Sequence, residues 1–433
     1  MTVKVIGAGL AGCEAALQLA ERGISVELYE MKPKKFTPAH TYSGFAELVC
    51  SNSLKASRVG SAAGMLKEEM RLFNSVIMRC ADKSSVAAGG ALAVDRKLFS
   101  DLVTNEVKTH KNIKVYEEEI TEIPDGYVVI ATGPLTSDGL SKSIGNLCGE
   151  KYLSFFDAAA PIVSFESINK DKVFFAARYG RGDADYINCP FDKEQYEAFY
   201  EALVGAESAP LNDFDKRDFK VYEGCMPVEV MAKRGADTLR YGPLKPVGLT
   251  DPNTQKRPYA VVQLRKENSA GSMYNIVGFQ TNLKFGEQKR VFSMISGLED
   301  AEFLRYGVMH RNTFLNSPKL LNSDFSLRKD DRIFFAGQMT GVEGYIESAA
   351  SGILAGYYLA KKLLNEEPIS LPKTSMMGAL SQYISDPSVE NFQPMGSNMG
   401  ILPDIGVRIK DKSERYLRIA ERGLNDLKEA MKG

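Results

Sequence analysis

The chain has 433 residues, enough for two or three domains with cores of their own, and its 54 basic and 55 acidic side chains nearly cancel. No global field gathers nucleic acid or an acidic partner. Six scattered cysteines without a C-x-x-C pair and only three histidines argue against a disulfide framework and a metal site. No run approaches the ~20 apolar residues of a membrane span, so a cytoplasmic chain with no membrane and no metal is expected.

The first thirty residues are the most telling. A short apolar strand (residues 3–6) runs into Gly7-Ala8-Gly9-Leu10-Ala11-Gly12, a helical stretch follows, and a second strand (24–29) closes on Glu30. This is the dinucleotide-binding βαβ pattern. Its glycines allow a tight turn and close approach of backbone N–H groups to a pyrophosphate at the helix N-terminus, and the acid at the end of the second strand suits ribose hydroxyls. An irregular polar stretch (33–63) comes next, then expected helices near 65–78 and 95–108 and strands near 113–117 and 127–132. The last of these ends in Ala131-Thr132-Gly133.

From about 151 to 299 the pattern changes to short strands (161–165, 173–177), a helix near 193–204 and a hairpin of 259–265 with 273–278. The chain then returns to a buried strand, 332–337, ending in Gly337. Gln338, Gly341, Gly344 and Tyr345 lead into a helix over 346–363 with small residues on one face. A second glycine-ended strand-to-helix unit, with the strand-Ala-Thr-Gly element, favours FAD over a simple nicotinamide cofactor. The expected fold is α/β: a Rossmann-like, glutathione-reductase-like FAD domain (1–150 and 300–433) carrying an inserted α+β domain (151–299). A charged amphipathic helix is expected over 410–432.

Two cysteines stand out. Cys50 ends an apolar run and enters Ser51-Asn52-Ser53 with Lys55 and Arg58 close by; cationic neighbours favour a thiolate, whereas a buried packing role is the commoner fate of a cysteine. Cys225 follows Gly224 and precedes Met226-Pro227, on a constrained turn between Glu223 and Glu229. Between 232 and 266 eight basic residues face two acids. Lys233, Arg234 and Arg257 in that stretch are candidates for phosphate contact.

Longer motifs extend these readings. FAELVCSNSLK (45–55), GGALAVDR (89–96), EGCMPVEVMAKRG (223–235), GPLKPVGL (242–249), KRPYAVVQLR (256–265), RYGVMHRNTF (305–314) and FFAGQMTGVEGYIESAASG (334–352) together resemble the FAD- and folate-dependent tRNA uracil-5-methyltransferases (TrmFO) from end to end. The related MnmG/GidA flavoproteins look similar around the FAD elements but carry a long C-terminal extension. The resemblance implies methylation of uracil carbon 5 at T-loop position 54 of tRNA, with methylenetetrahydrofolate as donor and NADH or NADPH as reductant. It also implies that Cys50 lies near the flavin and Cys225 near the uridine, leaving open which thiol attacks carbon 6. Where relatives commonly read GFQTHL, with a histidine suited to the folate pterin, this chain has Asn282. A ribosomal RNA target, known in one branch of the family, and a small-molecule flavin oxidoreductase are the alternatives. Monomer and dimer are both open.

Overall fold

The structure, a computed structural model, describes residues 1–37, 39–149, 153–158, 160–180, 183–209, 226–307, 309–389 and 392–432. Its centre is a six-stranded sheet in the order Ser326–Leu327, Asp330–Phe335, Val128–Ile130, Thr2–Ile6, Ser25–Glu30, Ile113–Glu117. All neighbours run parallel except the antiparallel edge hairpin 326–335. Ile6, Ile130 and Phe335 lie side by side in one row of this sheet. The glycine turns that follow them, at Gly7, Gly133 and Gly337, therefore open together at the carboxyl edge of the sheet, where open α/β folds bind ligands.

Two helices lie against this sheet and against each other. Leu10–Ala20 is buried along its whole length, and Tyr345–Leu364 buries most of its residues. Their axes approach so closely that a Cβ on Gly352 would sit 2.1 Å from the Ala11 carbonyl oxygen, and one on Gly356 2.6 Å from that of Ala15. No side chain larger than hydrogen fits there, and this explains the small-residue face legible in the sequence.

A second six-stranded sheet, antiparallel throughout, has the order Phe174–Phe175, Tyr186–Phe191, Ala260–Lys266, Met273–Ile276, Ile162–Ser164, Phe303–Arg305. Its own apolar core includes Ile187, Phe191, Val262, Leu264, Phe279 and Phe292. The helix Lys193–Val204 covers it, started by a reciprocal cap in which Gln195 N–H donates to Asp192 Oδ1 at 2.8 Å and Asp192 N–H to Gln195 Oε1 at 3.0 Å. A two-stranded ribbon, Leu153–Ala158 with Met309–Phe314, runs alongside.

Two expected elements differ. The single helix over 65–78 is two helices, Ala62–Leu72 and Val76–Lys83. Asn74 takes the left-handed conformation (φ 58°), and Ser75 caps the second helix while the buried Glu14 accepts from Val76 and Ile77 N–H. The stretch 33–63 is also less irregular than expected, because Ser53–Ala56 pairs with Ala91–Val94.

Glu69 does for another helix what Glu14 does for this one. Fully buried, it accepts from Met376 and Met377 N–H at 2.7 Å each, at the start of Met376–Ser385. Burial pushes its carboxyl up to about 8 from 4.5, against the opposing pull of the two donors. A raised acid binds its proton more tightly in the folded state, so its contribution is complete below pH 4.5 and is lost as pH rises through about 8. Thermal unfolding of the wild type is expected to shift down between pH 6 and pH 9, and Glu69→Gln to flatten that slope. Gly352→Val, which forces a branched side chain onto Ala11, is expected to cost about 3 kcal/mol or more, read as a lower denaturant midpoint.

Candidate functional site

The carboxyl edge of the parallel sheet opens into a cleft lined by all the expected cofactor residues except Gly12, Gly341 and Gly344. Those three act behind it. A Cβ on Gly12 would lie 1.8 Å from the Gly7 carbonyl oxygen, so Gly12 lets the helix start directly against the strand. Gly341 lies against the Phe392 ring, and Gly344 is the N-cap of Tyr345–Leu364. Gly9 is different: it is extended, and a Cβ there would meet nothing within 4 Å. The space above Gly9 belongs to the cleft.

Glu30 closes one side. Its carboxylate accepts from Ala8 N–H at 2.9 Å and from Lys32 N–H at 3.0 Å, which fixes it beside the glycine turn. Lys32, missed in the sequence reading, is buried and donates through Nζ to the carbonyls of Gly44 (2.7 Å) and Tyr42 (3.1 Å), pinning the loop that follows. Its position two residues past Glu30 was the only available signal.

That loop leads to Cys50, which is half-buried. The Tyr345 hydroxyl, at the mouth of the long helix, accepts from Cys50 N–H at 2.7 Å and from Ser51 N–H at 3.2 Å. Burial, then the neighbouring Cys50, push this phenol well above its ordinary range. Three arginines grip the same loop. Arg96 donates to Leu48 O (2.6 Å) and pairs with Glu267 through Nε–Oε2 (2.7 Å) and Nη2–Oε1 (3.2 Å). Arg265 donates to Asn52 Oδ1 (3.0 Å) and Ser51 Oγ (2.7 Å), and Arg305 donates to Val49 O.

Burial works against the Arg96 charge, but the Glu267 carboxylate more than offsets it and holds the guanidinium above its ordinary value. Arg305 is lowered by burial and by Arg96 beside it. Arg265, Glu267 and Arg305 all belong to the antiparallel sheet or its edge. The Cys50 loop is thus clamped between that sheet and the parallel-sheet cleft. Sequence reading missed this clamp because its members lie far apart in the chain and look like ordinary surface charges.

The remaining candidates are dispersed. Cys225 lies outside the described residues. Asn282 backbone N–H donates to Glu229 Oε1 (2.8 Å), and its side-chain amide donates to Ala209 O (3.2 Å). Burial raises the Glu229 carboxyl. Lys233, Arg234 and Arg257 are exposed, but the basic stretch is not one continuous patch. Arg265 turns inward to the Cys50 loop, and Arg240 pairs with Asp237 and lies 3.7 Å over the Tyr259 ring. Arg257 borders a depression that also holds Asp171, Asp251 and Glu299. Among the described residues no group of three His, Cys, Asp or Glu side chains is placed to hold a metal, and no helix is long and apolar enough to cross a membrane.

The cleft fits a dinucleotide: open space at Gly9, the unpaired first-turn N–H groups of a buried helix, and a fixed carboxylate on the next strand. FAD is the group these residues would hold. Because a side chain at Gly9 meets only open space, Gly9→Val is expected to fold normally yet lose its flavin. Near-wild-type unfolding with no yellow chromophore on purification is the expected pair of readings, and a yellow variant would contradict the assignment.

A model described as "Glucose inhibited division protein A" matches residues 2–367. A protein of Acetivibrio thermocellus named methylenetetrahydrofolate--tRNA-(uracil-5-)-methyltransferase TrmFO is 61% identical over 428 residues, covering 99% of this chain and 98% of its own. One of the same name from Bacillus pumilus is 57% identical over 425 residues, covering 98% of each. Among solved structures, Aquifex aeolicus GidA superposes with a TM-score of 0.69 at 16% identity, over 100% of this chain and 75% of that one. That likeness establishes a shared fold. The chain belongs to the glucose inhibited division protein A family, and within it to the TrmFO proteins.

Proposed function

We propose that this protein methylates carbon 5 of uracil in tRNA, at T-loop position 54, using methylenetetrahydrofolate as the carbon donor. What carries the reading is the Cys50 loop, held at Cys50 by Tyr345 of the dinucleotide cleft and on either side of it by Arg96, Arg305 and Arg265. A thiol fixed where a redox cofactor cleft meets a second domain suits a reaction that joins group transfer to reduction. The near-full-length relatives bear names that state the same substrate and donor.

Uracil carbon 5 is a weak nucleophile. Addition of a thiolate to carbon 6 creates an enolate that can attack the one-carbon unit; a base then removes the carbon 5 proton and the thiolate leaves. The methylene of the donor is at the oxidation level of formaldehyde, so a methyl product needs a hydride equivalent, which bound FAD supplies at the expense of NADH or NADPH. The chain's own residues hold the remaining tasks. Glu30 and the Gly7–Gly9 turn bind the cofactor, Tyr345 and the arginine clamp fix Cys50, and Cys50 and Cys225 supply the thiols. Residues 151–299 form the RNA and folate side, with Lys233, Arg234 and Arg257 presenting charge to phosphates and Asn282 lying on the folate side. A uridine must leave its stack to expose carbons 5 and 6, and a loop nucleotide does so most cheaply.

The test is isotopic. With unmodified tRNA and NADH, label from the folate methylene should appear in 5-methyluridine, and methyl-labelled S-adenosylmethionine should contribute none. Label confined to added ribosomal RNA would overturn the tRNA assignment. Cys50→Ala and Cys225→Ala should each lower turnover roughly a hundredfold or more. Alanine at the buried Cys13, Cys80, Cys148 or Cys189 should leave it near wild type.

A further inference from the structure

Three aromatic rings form a ladder on the antiparallel-sheet side of the molecule. Phe285, first residue of the helix Phe285–Phe292, stacks on Tyr306 at 4.9 Å and 16°, and Phe303, on the edge strand, stacks on the same ring at 5.3 Å and 8°. Phe285 is 55% exposed, so the outer end of the stack is open to a further planar group.

The ladder is rigidly built. The buried Gln288 amide accepts from Gly307 N–H and donates to Gly307 O, both at 2.8 Å, and donates to Leu283 O at 2.7 Å. Helix and strand extension are thereby locked in one register, and the stacked rings need no reordering to receive a further ring. Lys289, one turn on from Phe285 and on the same helix face, is exposed and has no carboxylate partner among the described residues. Gly286 between them would meet nothing within 4 Å with a side chain added, so the approach is open. A planar apolar face with a cation one turn away matches one nucleotide unit, base and phosphate.

Position favours RNA over other occupants. Arg305, between Phe303 and Tyr306, reaches the Cys50 loop at Val49 O. Lys284, just before Phe285, donates its N–H to Glu207 O and pairs with the Glu207 carboxylate, on the segment that leads toward Cys225 in the chain. The ladder is therefore tied to the Cys50 loop through Arg305.

We propose that the Phe285–Tyr306–Phe303 ladder is a stacking surface for an unpaired base of the substrate RNA, distinct from the reacting uridine, with Lys289 contacting the adjoining phosphate. This rests on the RNA-modifying reading above. The test measures the Kd of the full-length, flavin-loaded protein for unmodified tRNA at fixed salt. Phe285→Leu keeps an apolar side chain but removes the plane and should weaken binding about tenfold, with Phe285→Trp restoring it. Lys289→Glu should weaken binding and lower the salt slope by about one. Isotope transfer at saturating tRNA should persist in Phe285→Leu, so that loss of the ladder and failure of the methyltransferase reading are told apart. Phe285→Leu binding within about twofold of wild type overturns the proposal. So does a changed oligomeric state with unchanged RNA affinity, which would make this face a protein contact.

Discussion

Much of the molecule depends on the crossing of Leu10–Ala20 with Tyr345–Leu364. Protein interiors tolerate neither voids nor overlap, and here two backbones meet with only glycine between them at Gly352 and Gly356. The crossing fixes where each helix begins. One begins at the Gly7–Gly12 turn, above which the cleft opens; the other begins at Tyr345, whose hydroxyl takes the backbone of Cys50. A shift at the crossing would move the cofactor turn and the thiol loop relative to each other.

The second constraint is electrostatic. Arg96 is half-buried and holds its charge because the buried Glu267 carboxylate answers it with two hydrogen bonds. Such a pair adds little net stability over an apolar alternative, yet it is strict about geometry, since Glu267 alone would be a buried unpaired charge. Its service is registration. The antiparallel sheet cannot slide against the parallel-sheet body without separating Glu267 from Arg96 and Arg265 from Asn52.

Local chemistry was legible in the sequence where it is local. The Gly7–Glu30 unit, the return strand at Asp330–Phe335 and the small-residue helix each carry their pattern within about twenty residues, and the corresponding elements stand where the pattern puts them. The helix break at Asn74 was missed because apolar periodicity runs through it, and the reason for the break is Glu14, sixty residues earlier. The arginine clamp was illegible for the same reason. Arg265 looked like one more member of a basic stretch until the fold turned it toward Ser51 and Asn52. Asn282 looked like a ligand position, and in the fold its side-chain amide donates to Ala209 O while its backbone N–H donates to the Glu229 carboxylate.

The helix crossing also sets an order of events at the ribosome. The first βαβ unit leaves the exit tunnel early, but the strand that completes the row beside Val128–Ile130 and the helix that covers Ala11 and Ala15 come from residues 330–364. Contacts separated by more than three hundred residues form late and slowly. Until then Leu10–Ala20, buried on every side in the finished fold, has its groove uncovered. The nascent chain must carry that exposed helix through the synthesis of the whole intervening sheet, and cofactor capture becomes one of the last steps of biosynthesis rather than one of the first.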